Sequence, residues 1–95
     1  MNRELRKAAA EYLSQIRRVV PPGNHIRNEA RWLVEDILNG EWFWAMHDVL
    51  SLSAYSCIYD IAEARFATRR FLDKARKAYR RAQHGRDSDR RAISV

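Results

Sequence analysis

The chain has one cysteine, two prolines side by side and three glycines in 95 residues, and no lysine or arginine between Trp32 and Ala64. A lone Cys57 excludes an intrachain disulfide and fits a reducing compartment. His25, His47 and His84 are far apart, and no Cys-x-x-Cys or closely spaced histidine pair supplies the usual zinc spacing, so no metal is expected. Gly23, Gly40 and Gly85 each fall where a helix is expected to end, which leaves no glycine-rich phosphate loop and no nucleotide cofactor to expect. Long apolar runs are absent as well. Met1–Val20 is charged through its opening turns, so neither a secretory leader nor a membrane span is expected there, and the expected location is the cytoplasm.

Catalytic chemistry has only residue types to recommend it. His47, Cys57 and Asp60 are the side chains of a thiol-based site, but such a site needs a thiolate beside a base and an oxyanion pocket. Cys57 falls on a stripe of small residues, where it reads as buried and inert. No enzyme activity is expected.

What is present is charge in blocks. Residues 1–31 carry a net +4, residues 32–64 a net −6 and residues 65–95 a net +8, within an overall +6. Apolar content of 46% and ten aromatic residues suit a packed domain. A single helical domain over 1–84 with a flexible charged tail over 85–95 is therefore expected.

The periodicities predict an all-α fold. Asn2 can cap a first helix over about 3–20, in which Leu5, Ala8, Ala9, Tyr12, Leu13, Ile16 and then Val19 or Val20 recur every three or four residues. Pro21-Pro22-Gly23 must end it. Asn24 opens a second helix over about 25–39, closed by Asn39-Gly40, and the short joint predicts a helical hairpin. Glu41–Leu50 reads as a short aromatic helix or elbow, over about 41–50. The alternation Leu50-Ser51-Leu52-Ser53 reads as a break, with Ser51 or Ser53 capping a long last helix over about 54–84 that Gly85 would terminate.

That last helix carries a narrow seam, Cys57, Ile58, Ile61, Ala64, Thr68, Phe71, Leu72, Ala75, Ala78, Tyr79 and Ala82, whose small members let a neighbour approach closely. Thirty residues make a rod of about 45 Å, against a diameter near ~30 Å for a compact body of this size. The seam is thus expected to pair with the first helix at its full extent, or else with a second copy or a foreign helix.

Function follows from surfaces rather than motifs. The cluster Trp42, Phe43, Trp44 reads as a core wedge between the hairpin and the long helix or as a binding anchor; Trp42 and Trp44 lie two positions apart, so one helix stripe cannot bury both, and the anchor is the reading taken forward. Arg69, Arg70, Lys74, Arg76, Lys77, Arg80 and Arg81 are the expected steering charges. The favoured reading is a non-enzymatic protein–protein interaction module of regulatory or inhibitory adaptor type, whose partner is an acidic protein surface or a homo-oligomer. The rival is sequence-independent nucleic-acid binding by the basic helix, since base readers are scarce along it. A membrane-surface role ranks third, because the apolar side of that helix is narrow and rich in alanine.

Overall fold

The computed structural model describes the backbone of residues 2–93 and the side chains of residues 2–83. Four helices follow in order: α1 (Arg3–Val19), α2 (His25–Leu38), α3 (Trp42–Ile58) and α4 (Ala62–Ile93). The fold is all-α, as expected. No helix is long and apolar enough to cross a membrane, among the described residues.

Both expected caps open the first two helices. Asn2 Oδ1 accepts from Leu5 N at 3.2 Å, and Asn24 Oδ1 accepts from Ile26 N at 3.0 Å. Val20 turns extended, with φ −115° and ψ 127°, as the residue before a proline must. Arg27 then reaches back across the joint, donating through Nε to Val20 O and through a terminal nitrogen to Arg17 O. Carbonyls left open at the end of α1 are thereby satisfied by the first turn of α2.

The end of α2 is closed by backbone alone. Gly40 adopts φ 74°, Glu41 N donates to Asp36 O at 2.8 Å and Gly40 N donates to Ile37 O at 3.1 Å. These two bonds form a Schellman motif, and the left-handed residue it requires is a glycine at no steric cost.

The next boundary departs from expectation. α3 runs without interruption through Leu50-Ser51-Leu52-Ser53, so the aromatic segment is a 17-residue helix rather than a short elbow ending at Leu50. The chain turns instead at Tyr59-Asp60-Ile61, where Asp60 takes φ 55° and Ile61 N donates to Ser56 O at 2.9 Å. This is the same Schellman geometry, with aspartate doing what glycine did at the end of α2. α4 therefore begins at Ala62 rather than near Ala54, and its helical backbone continues past Gly85. The tail expected over 85–95 lies outside the residues whose side chains are described.

The shift also corrects the seam. Cys57 and Ile58 belong to α3 and are exposed, so Cys57 is not the buried thiol the sequence reading made it. Ala64, Thr68, Phe71, Leu72, Ala75 and Ala78 are buried, while Ala82 is exposed. Their cover is α1. Tyr12 stacks on Phe71 with ring centroids 4.8 Å apart and planes 4° from parallel. Tyr12 Oη and Thr68 Oγ1 lie 2.8 Å apart, and Thr68 donates its own proton to Ala64 O, so the tyrosine is the donor between them. Asn2 Nδ2 adds a bond to Ala78 O at 3.1 Å.

The first and last helices thus close on each other, while α2 packs chiefly along α3. Ile16, Val20, Ile26, Leu33 and Ile37 are all but fully buried where α1 and α2 meet the rest of the core. The long axis measures 56 Å, and the radius of gyration of 15.3 Å exceeds the ~12 Å of a compact chain of this length.

Candidate protein-interaction surface

α3 is apolar around nearly its whole circumference, and its only acidic residue, Asp48, points inward. Ala45 and Leu52 are fully buried, and Ser56, almost as buried, satisfies its hydroxyl by donating to Leu52 O at 2.6 Å. The outer face has no charge to hold it in water. Phe43 is 76% exposed, Trp44 55%, Leu50 71% and Ile58 71%, and His47, Ala54 and Cys57 share that exposure. Single exposed apolar residues are ordinary, whereas a row of them along one helix marks a surface built to be covered.

The aromatic triplet is divided. Trp42 is half-buried and meets Tyr79 of α4 edge-on, with centroids 4.9 Å apart, while Tyr79 Oη donates to Ile37 O at 2.7 Å. Trp42 thus joins α3 to α4 and to the end of α2. Phe43 and Trp44 pack on each other edge-to-face at 5.3 Å, and Trp44 continues to His47 at 6.2 Å. Trp32, half exposed on α2, lies one turn from both Glu29 and Asp36 on the flank that faces α3.

The basic residues of α4 fall into two rows. On the α1 side, Lys74 pairs with Glu11 at 3.2 Å and Arg81 pairs with Glu4. Arg70 lies beside Glu11 and Lys74. These ion pairs are solvent-exposed and contribute little to stability, but they partly neutralise that row. On the α3 side, Arg65, Arg69 and Arg76 line a groove of about 470 Å³ with Met46, Val49, Ser53 and one acid, Asp73. Arg76 reaches Met46 Sδ at 3.8 Å, and neither Arg65 nor Arg69 has an acidic partner among the described residues. Lys77 and Arg80 are exposed. Of the residues expected to bind a partner, Phe43 and Trp44 therefore stand on the outer face of α3, with Trp44 toward α2, while Arg69 and Arg76 line the groove on the opposite, α4 side of that helix. Trp42 is turned inward, and Lys74 and Arg81 lean on α1.

Arg65, Leu50 and Ile58 belong to this surface but escaped the sequence reading. For Leu50 the signal was present as periodicity, since Phe43, His47, Leu50, Ala54 and Cys57 repeat at intervals of four, three, four and three, a repeat to which Ile58 and Arg65 do not belong. An assumed break at Ser51–Ser53 hid it.

A second, acidic cluster lies between α2 and α3, with Asp48 buried and Glu29 and Asp36 half-buried. Burial pushes the Asp48 carboxyl up to about 7, and the neighbouring Asp36 and Glu29 carboxylates add to the shift. Asp48 Oδ2 has no hydrogen-bond partner. Glu29 is raised too, by burial, against the opposing pull of His47 and His25. Among the described residues, no group of histidine, cysteine and acidic side chains could hold a metal ion. His47 and Cys57 stand ten residues apart on one helix, about 15 Å by its rise, which is beyond hydrogen-bond reach.

Comparison with protein-family models, with curated proteins and with solved structures finds no match to this chain.

Proposed function

We propose that this chain is a small non-enzymatic protein–protein interaction module of regulatory or inhibitory adaptor type, which docks through the outer face of α3. One observation carries the reading: a helix of 17 residues leaves Phe43, Trp44, Leu50 and Ile58 in water, with no Asp, Glu, Lys or Arg on that face. Aromatic anchors in such a patch supply affinity, and the Arg65, Arg69 and Arg76 row beside it supplies orientation toward an acidic protein surface.

Nucleic-acid binding remains the second reading, favoured by Arg65 and Arg69 having no acidic partner among the described residues. The two separate in one experiment. The tagged chain, treated with nuclease and washed at moderate salt, is expected to retain a defined polypeptide, and Trp44→Ala is expected to weaken that capture by about tenfold with the melting temperature unchanged. Trp42→Ala should instead lower stability, because Trp42 packs on Tyr79. Loss of all capture on nuclease treatment, with generic DNA or RNA bound in a steeply salt-dependent way, would overturn the protein-binding reading.

A further inference from the structure

The outer face of α3 has a spacing that specifies its partner. Phe43, His47, Leu50, Ala54 and Cys57 recur at alternating intervals of four and three, and all five are exposed. Such a repeat draws a straight seam along a helix and presents it to one other helix, with knobs meeting holes about once per turn. A face meant only to be tolerated in water would have charge at some of these positions. We propose that this seam is a homodimer interface, in which α3 of one copy lies parallel to α3 of a second copy about a two-fold axis. The inference rests on α3 being a docking face and names its occupant.

Area and charge both argue for a second copy. Phe43, Trp44, Leu50, Ile58 and Tyr59 are between 41% and 76% exposed. Taking side chains of this size at roughly 150–250 Å², they leave on the order of 600 Å² per copy, or about 1,200 Å² when two copies meet. That total lies at the lower edge of specific interfaces, so the dimer should be reversible and of roughly micromolar affinity.

The flanks of α3 then select the direction. On one side α2 carries Glu29 and Asp36, both part-exposed, and on the other α4 carries Arg65, Arg69 and Arg76 against a single acid in their groove, Asp73. A two-fold axis parallel to α3 sets the acidic flank of each copy against the basic flank of the other. An antiparallel pair would set arginines against arginines. The acidic protein surface that the arginines fit is thus the α2 flank of the same protein.

Parallel pairing places each seam residue beside its own counterpart, including Cys57, the only thiol in the chain. At such a position two cysteines come within reach of a disulfide. The test is sedimentation equilibrium of the full chain from about 1 to 200 µM, a range that brackets micromolar association. In parallel, diamide is added as the oxidant that takes up the two protons and two electrons of the paired thiols.

The expected result is a monomer–dimer equilibrium, a covalent dimer formed at concentrations where the dimer is populated, and loss of both in Leu50→Glu. Leu50 is exposed, so Leu50→Glu should melt as the native chain does; Ala54→Glu, at the neighbouring seam position, should reproduce the loss. A monomer throughout overturns the proposal. A dimer unaffected by both variants overturns the seam, and a dimer that both variants break but diamide does not cross-link overturns the parallel arrangement. If the chain is monomeric while Trp44→Ala still weakens capture of a foreign polypeptide, the interaction reading survives and the second copy does not.

Discussion

Asp48 is the residue at which local chemistry and packing are most at odds. It occupies a position on α3 that the helix turns inward, nine-tenths buried, opposite Asp36 and near Glu29. A carboxylate there would lose its hydration and face two like charges, so the proton is retained up to a pH of about 7. The unfolded chain releases the same proton near pH 4. Between these values the folded state binds more protons than the unfolded state, so stability falls as pH rises across that window and levels off above it. Asp48→Asn keeps the shape and the donor toward Asp36 while removing the ionisation. Urea titrations should show the variant more stable than the native chain by about 1–3 kcal/mol at pH 8, with little difference at pH 4. A native chain whose stability is flat from pH 4 to 8 would refute the assignment.

At the scale of elements, the turn between α3 and α4 shows what the sequence could and could not convey. The Pro21-Pro22-Gly23 and Asn39-Gly40 joints were legible because proline and glycine bear directly on backbone geometry, and both helices before them end within a residue or two of expectation. Asp60 does the same work as Gly40 but advertises nothing, since aspartate enters the left-handed region only at some cost. Meanwhile Ser51 and Ser53 resemble caps, yet buried Leu52 between them holds the helix through that point. The division between Trp42 and Trp44 was half legible. Their spacing showed that both could not face one way, but Tyr79, which decides that Trp42 is the inward one, lies on another helix. Likewise, which lysines and arginines stand free depended on Glu4 and Glu11 of α1.

The same turn supports a measurable prediction. Asp60 is exposed and its backbone sits at φ 55°, so the side chain matters mainly through what it lets the backbone do. Asp60→Val should destabilise by about 1–2 kcal/mol, because a β-branched residue is strained in that region. Asp60→Gly should be neutral or stabilising by up to about 1 kcal/mol, as relief of strain outweighs the added freedom of the unfolded chain. Thermal melts of the two variants would decide it, and a Val variant as stable as the Gly variant would mean the turn is not left-handed.

For the whole molecule, closure of α4 on α1 is the contact that makes four helices one folding unit. It joins residues from opposite ends of the described chain, with Asn2 bonded to Ala78 and Tyr12 stacked on Phe71. The α2–α3 pair sits against this frame through core residues of every helix, including Ile16, Ile26, Leu52 and Phe71. A 95-residue domain has a net stability of only about 5–14 kcal/mol. Phe71 is 2% exposed, and Phe71→Ala removes its ring from the stack and leaves a cavity, a loss of about 3–5 kcal/mol. That loss should be global. Tryptophan fluorescence reports from Trp32, Trp42 and Trp44 on α2 and α3, whereas circular dichroism averages over all four helices. If α1–α4 closure governs the whole, both signals should shift together to lower urea in Phe71→Ala, with one midpoint. Separate midpoints would divide the molecule into an α1–α4 unit and an α2–α3 unit, each unfolding by itself.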